Sequence, residues 1–304
     1  MPFPRKVTLI EVGPRDGLQN EHQIIPTALK IKFIDALSKS GLSVIEATSF
    51  VSSQWVPQMA DHTEVMAGIQ RHPHTRYMAL VPNKQGLMNA LKAATPAIAV
   101  FTSPSEKFTK KNTNCSIEES LNRISEVIVI AKKHNIPVRG YISCALGCPY
   151  EGDIPVPRVV SLVQKLLDMG CYQISLGDTI GIATPHQVQR LIDSCTQTIS
   201  VDALAVHFHD TYAQALTNIY VSLEKGISTI DSAVAGLGGC PYATGASGNV
   251  ATEDVVYLLN GLNITCGVDL MRLTQAGHLI CDYLGQAPRS KVAVALRNKT
   301  TNRK

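Results

Sequence analysis

Val7-Thr8-Leu9-Ile10-Glu11-Val12-Gly13-Pro14-Arg15-Asp16-Gly17 decides between the two ways in which an alternating β and α chain folds. Its first six residues form a short apolar run rich in β-branched side chains, the pattern of a strand, and Gly13-Pro14 ends that run in a turn. A doubly wound open sheet that binds a dinucleotide carries G-x-G-x-x-G at this point. Here the turn carries Arg15 and Asp16 instead. Seven further runs of the same kind follow: Val44 to Phe50, Tyr77 to Val81, Ala97 to Phe101, Val138 to Ser143, Tyr172 to Leu176, Ala203 to His209 and Thr229 to Ala235. Eight strands with helical segments between them predict an α/β fold closed into a (β/α)8 TIM barrel.

Helix punctuation agrees with that rhythm. Pro26-Thr27 opens a helix that Gly41 closes, and Ser116 with Glu119 forms a capping box for a long helix towards His134. Thr184-Pro185 joins an N-cap to a proline at the first helical position, Gly170 and Gly226 occupy C-terminal glycine positions, and Thr252-Glu253-Asp254 begins a helix that Gly261 ends. No linker divides residues 1–304, so one catalytic domain is expected. From about residue 265 the chain predicts additional C-terminal helix, and Arg297 to Lys304 reads as a basic tail without fixed structure.

The 304 residues are 45% apolar and 17% charged, enough to bury a full core. A net charge of +4, from 28 basic and 24 acidic residues spread along the chain, argues against nucleic acid and leaves a small anionic substrate compatible. No apolar run reaches membrane-spanning length. The eight cysteines lack the density of a secreted disulfide scaffold, and Cys144 and Cys148 do not have a Cys-x-x-Cys spacing. Met1 to Lys6 leads straight into the first strand, so no signal or transit peptide is expected and a cytoplasmic location is.

Chemistry concentrates where barrel enzymes place it, at the C-terminal ends of strands. In Ala203-Leu204-Ala205-Val206-His207-Phe208-His209-Asp210, alternation puts Leu204, Val206 and Phe208 on one face and His207 and His209 on the other. Two imidazoles at i and i+2 facing inwards make a pair of metal ligands, with satisfied core histidines as the plainer alternative. Asp16 is placed to join them and Arg15 to meet a substrate oxyanion, unless the two form only a surface ion pair. Glu46, inside an apolar strand, needs a cation, and Arg15 is the nearest candidate. Asp178, ending the sixth strand, acts as a base or caps the following turn; the sequence leaves both open. Gly236-Leu237-Gly238-Gly239-Cys240-Pro241-Tyr242, continuing to Asn249, reads either as a loop delivering Cys240 to the site or as a connector or phosphate cradle. Asp16, His207, His209 and Asn249 would form an oxygen and nitrogen donor set without thiolate, which suits Mg²⁺ or Mn²⁺.

These motifs, with Glu11 to Glu21, Val138 to Tyr141, Leu146 to Gly152 and Ala246 to Asn249, resemble the 3-hydroxy-3-methylglutaryl-CoA lyase family over nearly the whole chain. The resemblance implies a barrel lyase that cleaves the hydroxymethylglutaryl thioester to acetyl-CoA and acetoacetate with a divalent cation. It assigns Arg15, Glu46, Asp178 and Cys240 to catalysis and Asp16, His207, His209 and Asn249 to the metal. It also implies a homodimer and an acyl-CoA partner; Gln19, Lys107, Lys110 and Lys111 are the expected substrate contacts, the lysines reading otherwise as a solvated loop. His22 stands where such lyases often have lysine. Claisen-type synthases share the Arg-Asp pair and His-x-His but lack the cysteine loop. A metal-binding barrel without catalysis is the other alternative.

Overall fold

The computed structural model describes residues 3–239 and 247–301. Its eight strands are Thr8–Glu11 (β1), Val44–Ser49 (β2), Arg76–Leu80 (β3), Ala97–Thr102 (β4), Val138–Ile142 (β5), Ile174–Asp178 (β6), Leu204–Phe208 (β7) and Thr229–Ser232 (β8). Each lies parallel to the next, and β8 pairs with β1 from Thr8↔Thr229 to Glu11↔Ser232, which closes the barrel. Every position of β5 to β8 is buried, because helices cover the outside and side chains fill the inside. Leu204, Val206 and Phe208 join the main core with Leu191, Ile219 and Leu223 from the helices, the apolar face that alternation predicts.

Local signals set the helix ends. Glu119 N–H donates to Ser116 Oγ (3.1 Å) and Ser116 N–H to Glu119 Oε2 (2.7 Å), which starts the helix Ile117–Lys133. Thr184 N–H donates to Gln187 Oε1 (2.9 Å) ahead of Pro185–Cys195. The C-terminal helix Leu270–Leu284 adds Leu273, Ala276 and Ile280 to the main core. No helix among the described residues is long and apolar enough to cross a membrane.

Two expectations change. The tail from Arg297 continues a helix, Lys291–Thr301, rather than beginning a structureless segment. That helix starts on a built cap: Asp254 Oδ1 accepts from Ser290 Oγ (2.7 Å) and Val292 N–H (2.9 Å), and Ala293 is buried. Strand β8 stops at Ser232, short of Ala235, because the chain enters a tight turn over Val234–Gly236 in which Ala235 takes φ 60°. A left-handed alanine is unfavourable by itself and is held here by its surroundings.

Those surroundings are two buried carboxyl groups. Glu11 Oε1 accepts from the N–H groups of Gly13 (2.8 Å) and Val234 (2.9 Å), and Glu11 Oε2 accepts from Thr252 Oγ1 (2.7 Å). Glu253 accepts from Ala235 N–H, at 2.8 Å through Oε2. Both are fully buried, and burial pushes Glu11 up to about 7 and Glu253 up to about 8.

Glu253 therefore holds its proton in the fold to higher pH than in the unfolded chain. Its contribution is complete below the unfolded value near 4.5 and is lost as pH rises through about 8. Glu253→Gln cannot ionise, so its stability relative to wild type should rise between about pH 5 and about pH 8, by at most about 1.4 kcal/mol per pH unit. Urea unfolding across that range checks this; a difference independent of pH would contradict it.

Candidate functional site

The turn after β1 builds the site. The Val12 carbonyl accepts from the N–H groups of Arg15 (3.2 Å), Asp16 (2.8 Å) and Gly17 (3.1 Å), so Gly13–Gly17 forms one wide helical turn. Gly17 is required there, since a Cβ would lie 2.8 Å from Leu237 Cβ. The turn brings Arg15 and Asp16 to the mouth of the barrel. Arg15 donates from Nε to Glu46 Oε2 (2.7 Å) and from Nη1 to Asp16 Oδ1 (2.5 Å), so the pairing expected across β1 and β2 is present. Burial works against the Arg15 charge, but Glu46 and Asp16 outweigh it and the guanidinium stays protonated. Burial pushes the Glu46 carboxyl up, with Arg15 opposing.

His207 and His209 meet Asp16 from the end of β7, which only β8 separates from β1. The Nε2 atoms of both histidines lie 3.9 Å from Asp16 Oδ2, and ligand atoms of the three residues all fall within 4.8 Å of one another. Burial opposes ionisation of Asp16, yet Arg15 and the histidines hold its carboxyl well below the usual range. His209 pairs with Asn249 in a short antiparallel bridge, which places the Asn249 amide over the cluster. In this arrangement Asn249 donates from Nδ2 to Asp16 Oδ2 (2.8 Å) and to the Leu237 carbonyl (3.1 Å). Turning the amide over presents Oδ1 to the same place. Two imidazoles, a carboxylate and an amide form a donor set that fits a hard or borderline divalent cation, and no thiolate adjoins it among the described residues.

Above the cluster opens a cavity of about 490 Å³ whose wall includes Arg15, Asp16, His207, His209, Tyr141, Gln19, Trp55 and Lys111. Gln19 and Lys111 thus lie where substrate contacts were expected. Lys107 and Lys110 do not: the helix Glu106–Thr113 turns its C-terminal end to the cavity, and these two line a separate depression with Glu118 and Glu119. Asp178 caps its turn, accepting from the N–H groups of Ile182 (3.2 Å) and Ala183 (2.9 Å), and lies outside the cavity wall. Burial pushes its carboxyl up. Cys240 lies outside the described residues. The chain leading to it is held where Asn20 Nδ2 donates to the Gly239 carbonyl (2.9 Å) and Arg289 Nη1 to the Gly238 carbonyl (2.6 Å), and Gly239 lines the cavity.

Sequence reasoning missed several contributors. The Tyr141 ring lies near two guanidinium groups, its centroid 5.7 Å from Arg15 Cζ and 4.9 Å from Arg139 Cζ. Arg139 and Asp231 form a fully buried ion pair beneath His207. A charged residue inside a β-branched run is the available signal for both, as it was for Glu46.

The family described as HMGL-like matches residues 6–280. The chain is 59% identical over 293 residues to a cytoplasmic 3-hydroxy-3-methylglutaryl-CoA lyase of Rattus norvegicus, covering 96% of this chain and 85% of the relative. Other curated relatives carry mitochondrial names. A crystal structure of hydroxymethylglutaryl-CoA lyase from Pseudomonas aeruginosa superposes with a TM-score of 0.96 at 54% identity, covering 98% of this chain and all of the other. A further lyase structure, in complex with coenzyme A and 3-methylmalate, superposes at 0.92 with 37% identity over 97% of this chain and 96% of that one.

Because Asp16 faces both imidazoles, Asp16→Ala should weaken Mn²⁺ binding by more than about a hundredfold, beyond the usual effect of losing an outer partner. Titration followed by the electron paramagnetic resonance of free Mn²⁺ measures this. Unchanged affinity would remove Asp16 from the cluster's ligands.

Proposed function

The chain belongs to the HMGL-like family, and we propose that it is a divalent-metal-dependent lyase cleaving 3-hydroxy-3-methylglutaryl-CoA to acetyl-CoA and acetoacetate. The observation that carries this reading is a buried guanidinium bonded to Asp16, which also faces both histidines, on the floor of one cavity. We assign Asp16, His207, His209 and Asn249 to hold Mg²⁺ or Mn²⁺. Bound there, the cation supplies Lewis acidity to the substrate's tertiary hydroxyl and an adjacent oxygen.

Arg15 serves the step in which charge develops. Breaking the carbon–carbon bond leaves the enolate of acetyl-CoA, and a preorganised cation beside its oxygen stabilises it more than it stabilises the neutral thioester. With Nε on Glu46 and Nη1 on Asp16, Nη2 is the edge of Arg15 left for that oxygen. Glu46 fixes the plane of the guanidinium. Cys240, next in the chain to Gly239 of the cavity wall, is assigned to protonate the enolate carbon. Asp178, between Gly177 and Thr179 of the cavity wall, caps its turn and is assigned to accept the proton that the tertiary hydroxyl loses, with a metal-ligand histidine in reserve. Gln19 and Lys111 are assigned to the acyl-CoA chain, the lysine as a partner for its phosphates. The chain is proposed to act as one domain and as a homodimer; a cytoplasmic location follows the name of the rat relative.

Incubation of the protein with hydroxymethylglutaryl-CoA and Mg²⁺ should yield acetoacetate. No product, together with condensation of acetyl-CoA onto a 2-oxo acid, would overturn the lyase reading in favour of a synthase. Arg15→Met should lower the rate by roughly two or more powers of ten, as loss of an oxyanion donor does; a near-normal rate would make Arg15 structural. Cys240→Ser should reduce turnover and leave Mn²⁺ affinity intact, and unchanged kinetics would remove the thiol from the mechanism.

A further inference from the structure

Beneath the cluster, the barrel interior holds a second charged group that the proposed reaction does not use. Asp231 on β8 stands in register with His207 on β7, so the two side chains leave neighbouring strands on the same side. Arg139 on β5 reaches Asp231 with one hydrogen bond, from Nη1 to Oδ2 (3.1 Å), and with an ion-pair approach of Nη2 to Oδ1 (2.9 Å). Ser175 on β6 donates from Oγ to Asp231 Oδ2 (2.7 Å). Arg139 and Asp231 are buried at 0% and 1% exposure. A buried ion pair is weak evidence of a stabilising role, since an apolar pair of similar volume serves stability as well. Its reason is better sought in what it touches.

It touches His207. Asp231 Oδ2 lies 3.4 Å from His207 Nδ1, a long contact, and Nδ1 has no other partner among the described residues. An ionised carboxylate only accepts, so Nδ1 beside it carries the proton. A neutral imidazole has one N–H, so Nε2 is left with the lone pair, and Nε2 is the atom facing Asp16.

We propose that Asp231, held by Arg139 and Ser175, is the positioning residue that sets the His207 tautomer and aims Nε2 at the metal position. The proposal rests on the metal-site reading above. Arg139 keeps the carboxylate in place, Ser175 directs Oδ2, and the long contact tightens when His207 takes up a cation through Nε2.

The test uses the full chain with Mn²⁺ as probe and does not depend on turnover. Asp231→Asn should raise the Mn²⁺ dissociation constant by roughly ten- to a hundredfold, the usual effect of losing such a partner. The double variant R139M/D231L, which leaves no unpaired buried charge, should do the same while folded. In the wild type labelled with ¹⁵N-histidine, the His207 ring should show Nδ1–H and an unprotonated Nε2, and this signature should weaken in either variant. Folded variants with wild-type Mn²⁺ affinity, or a wild-type ring protonated at Nε2, would overturn the role of Asp231. The wild-type spectrum decides if neither variant folds. A wild type that binds no Mn²⁺ would overturn the metal-site reading instead, so the two failures are distinguishable.

Discussion

The pairing of β1 with β8 is the constraint on which the site depends. Asp16 follows the first strand and His207 lies in the seventh, so in an open sheet of the same order they would stand roughly 30 Å apart, six strand spacings of about 4.8 Å. Closure through four residue pairs, Thr8↔Thr229 to Glu11↔Ser232, brings Asp16 Oδ2 within 3.9 Å of both imidazoles. The same seam carries the wide turn at Gly13–Gly17, the turn at Val234–Gly236 and the Glu11 carboxyl that bonds to both sides. Fold and site are therefore joined at one place.

Charge inside the barrel is arranged in two tiers. The upper tier sets the Arg15 guanidinium against Glu46 and Asp16, and the lower sets Arg139 against Asp231. Each cation is desolvated, and an uncompensated charge at such depth would cost several kcal/mol. The Tyr141 ring lies within cation–π range of both guanidinium groups and belongs to the cavity wall. Pairing leaves Arg15 charged but with a free edge, which is what an oxyanion donor needs. It also sets the His207 imidazole between two carboxylates, Asp16 towards Nε2 and Asp231 towards Nδ1.

Much of this architecture was legible in the chain. Every strand was visible as an apolar run because both faces of a parallel strand are buried, and the capping signals of Ser116 and Thr184 appear as expected. His-x-His and Arg15-Asp16 were legible because alternation and turn position determine which way they face. What was illegible depends on contacts distant in sequence. The cap that Asp178 forms is not visible until its turn closes on Ile182 and Ala183. Lys107 and Lys110 share a helix with Lys111, and only the placement of that helix separates them. Ala235 carries no sign of its left-handed backbone, which Glu253 imposes from another element. Arg289 belongs to the C-terminal extension, and nothing local announces that it reaches the Gly238 carbonyl.

The central claim is that one cation, held by Asp16, His207, His209 and Asn249, shares a substrate oxygen site with Arg15. A crystal grown with Mn²⁺ and a non-cleavable thioether analogue of hydroxymethylglutaryl-CoA, measured at the manganese edge, tests it most directly. The account predicts one anomalous peak among Nε2 of both histidines and the Asp16 carboxylate, with the analogue's hydroxyl oxygen on the metal and Arg15 Nη2 beside the methylene that replaces the thioester carbonyl. A peak elsewhere, or an analogue whose acyl group lies away from Arg15, would contradict it.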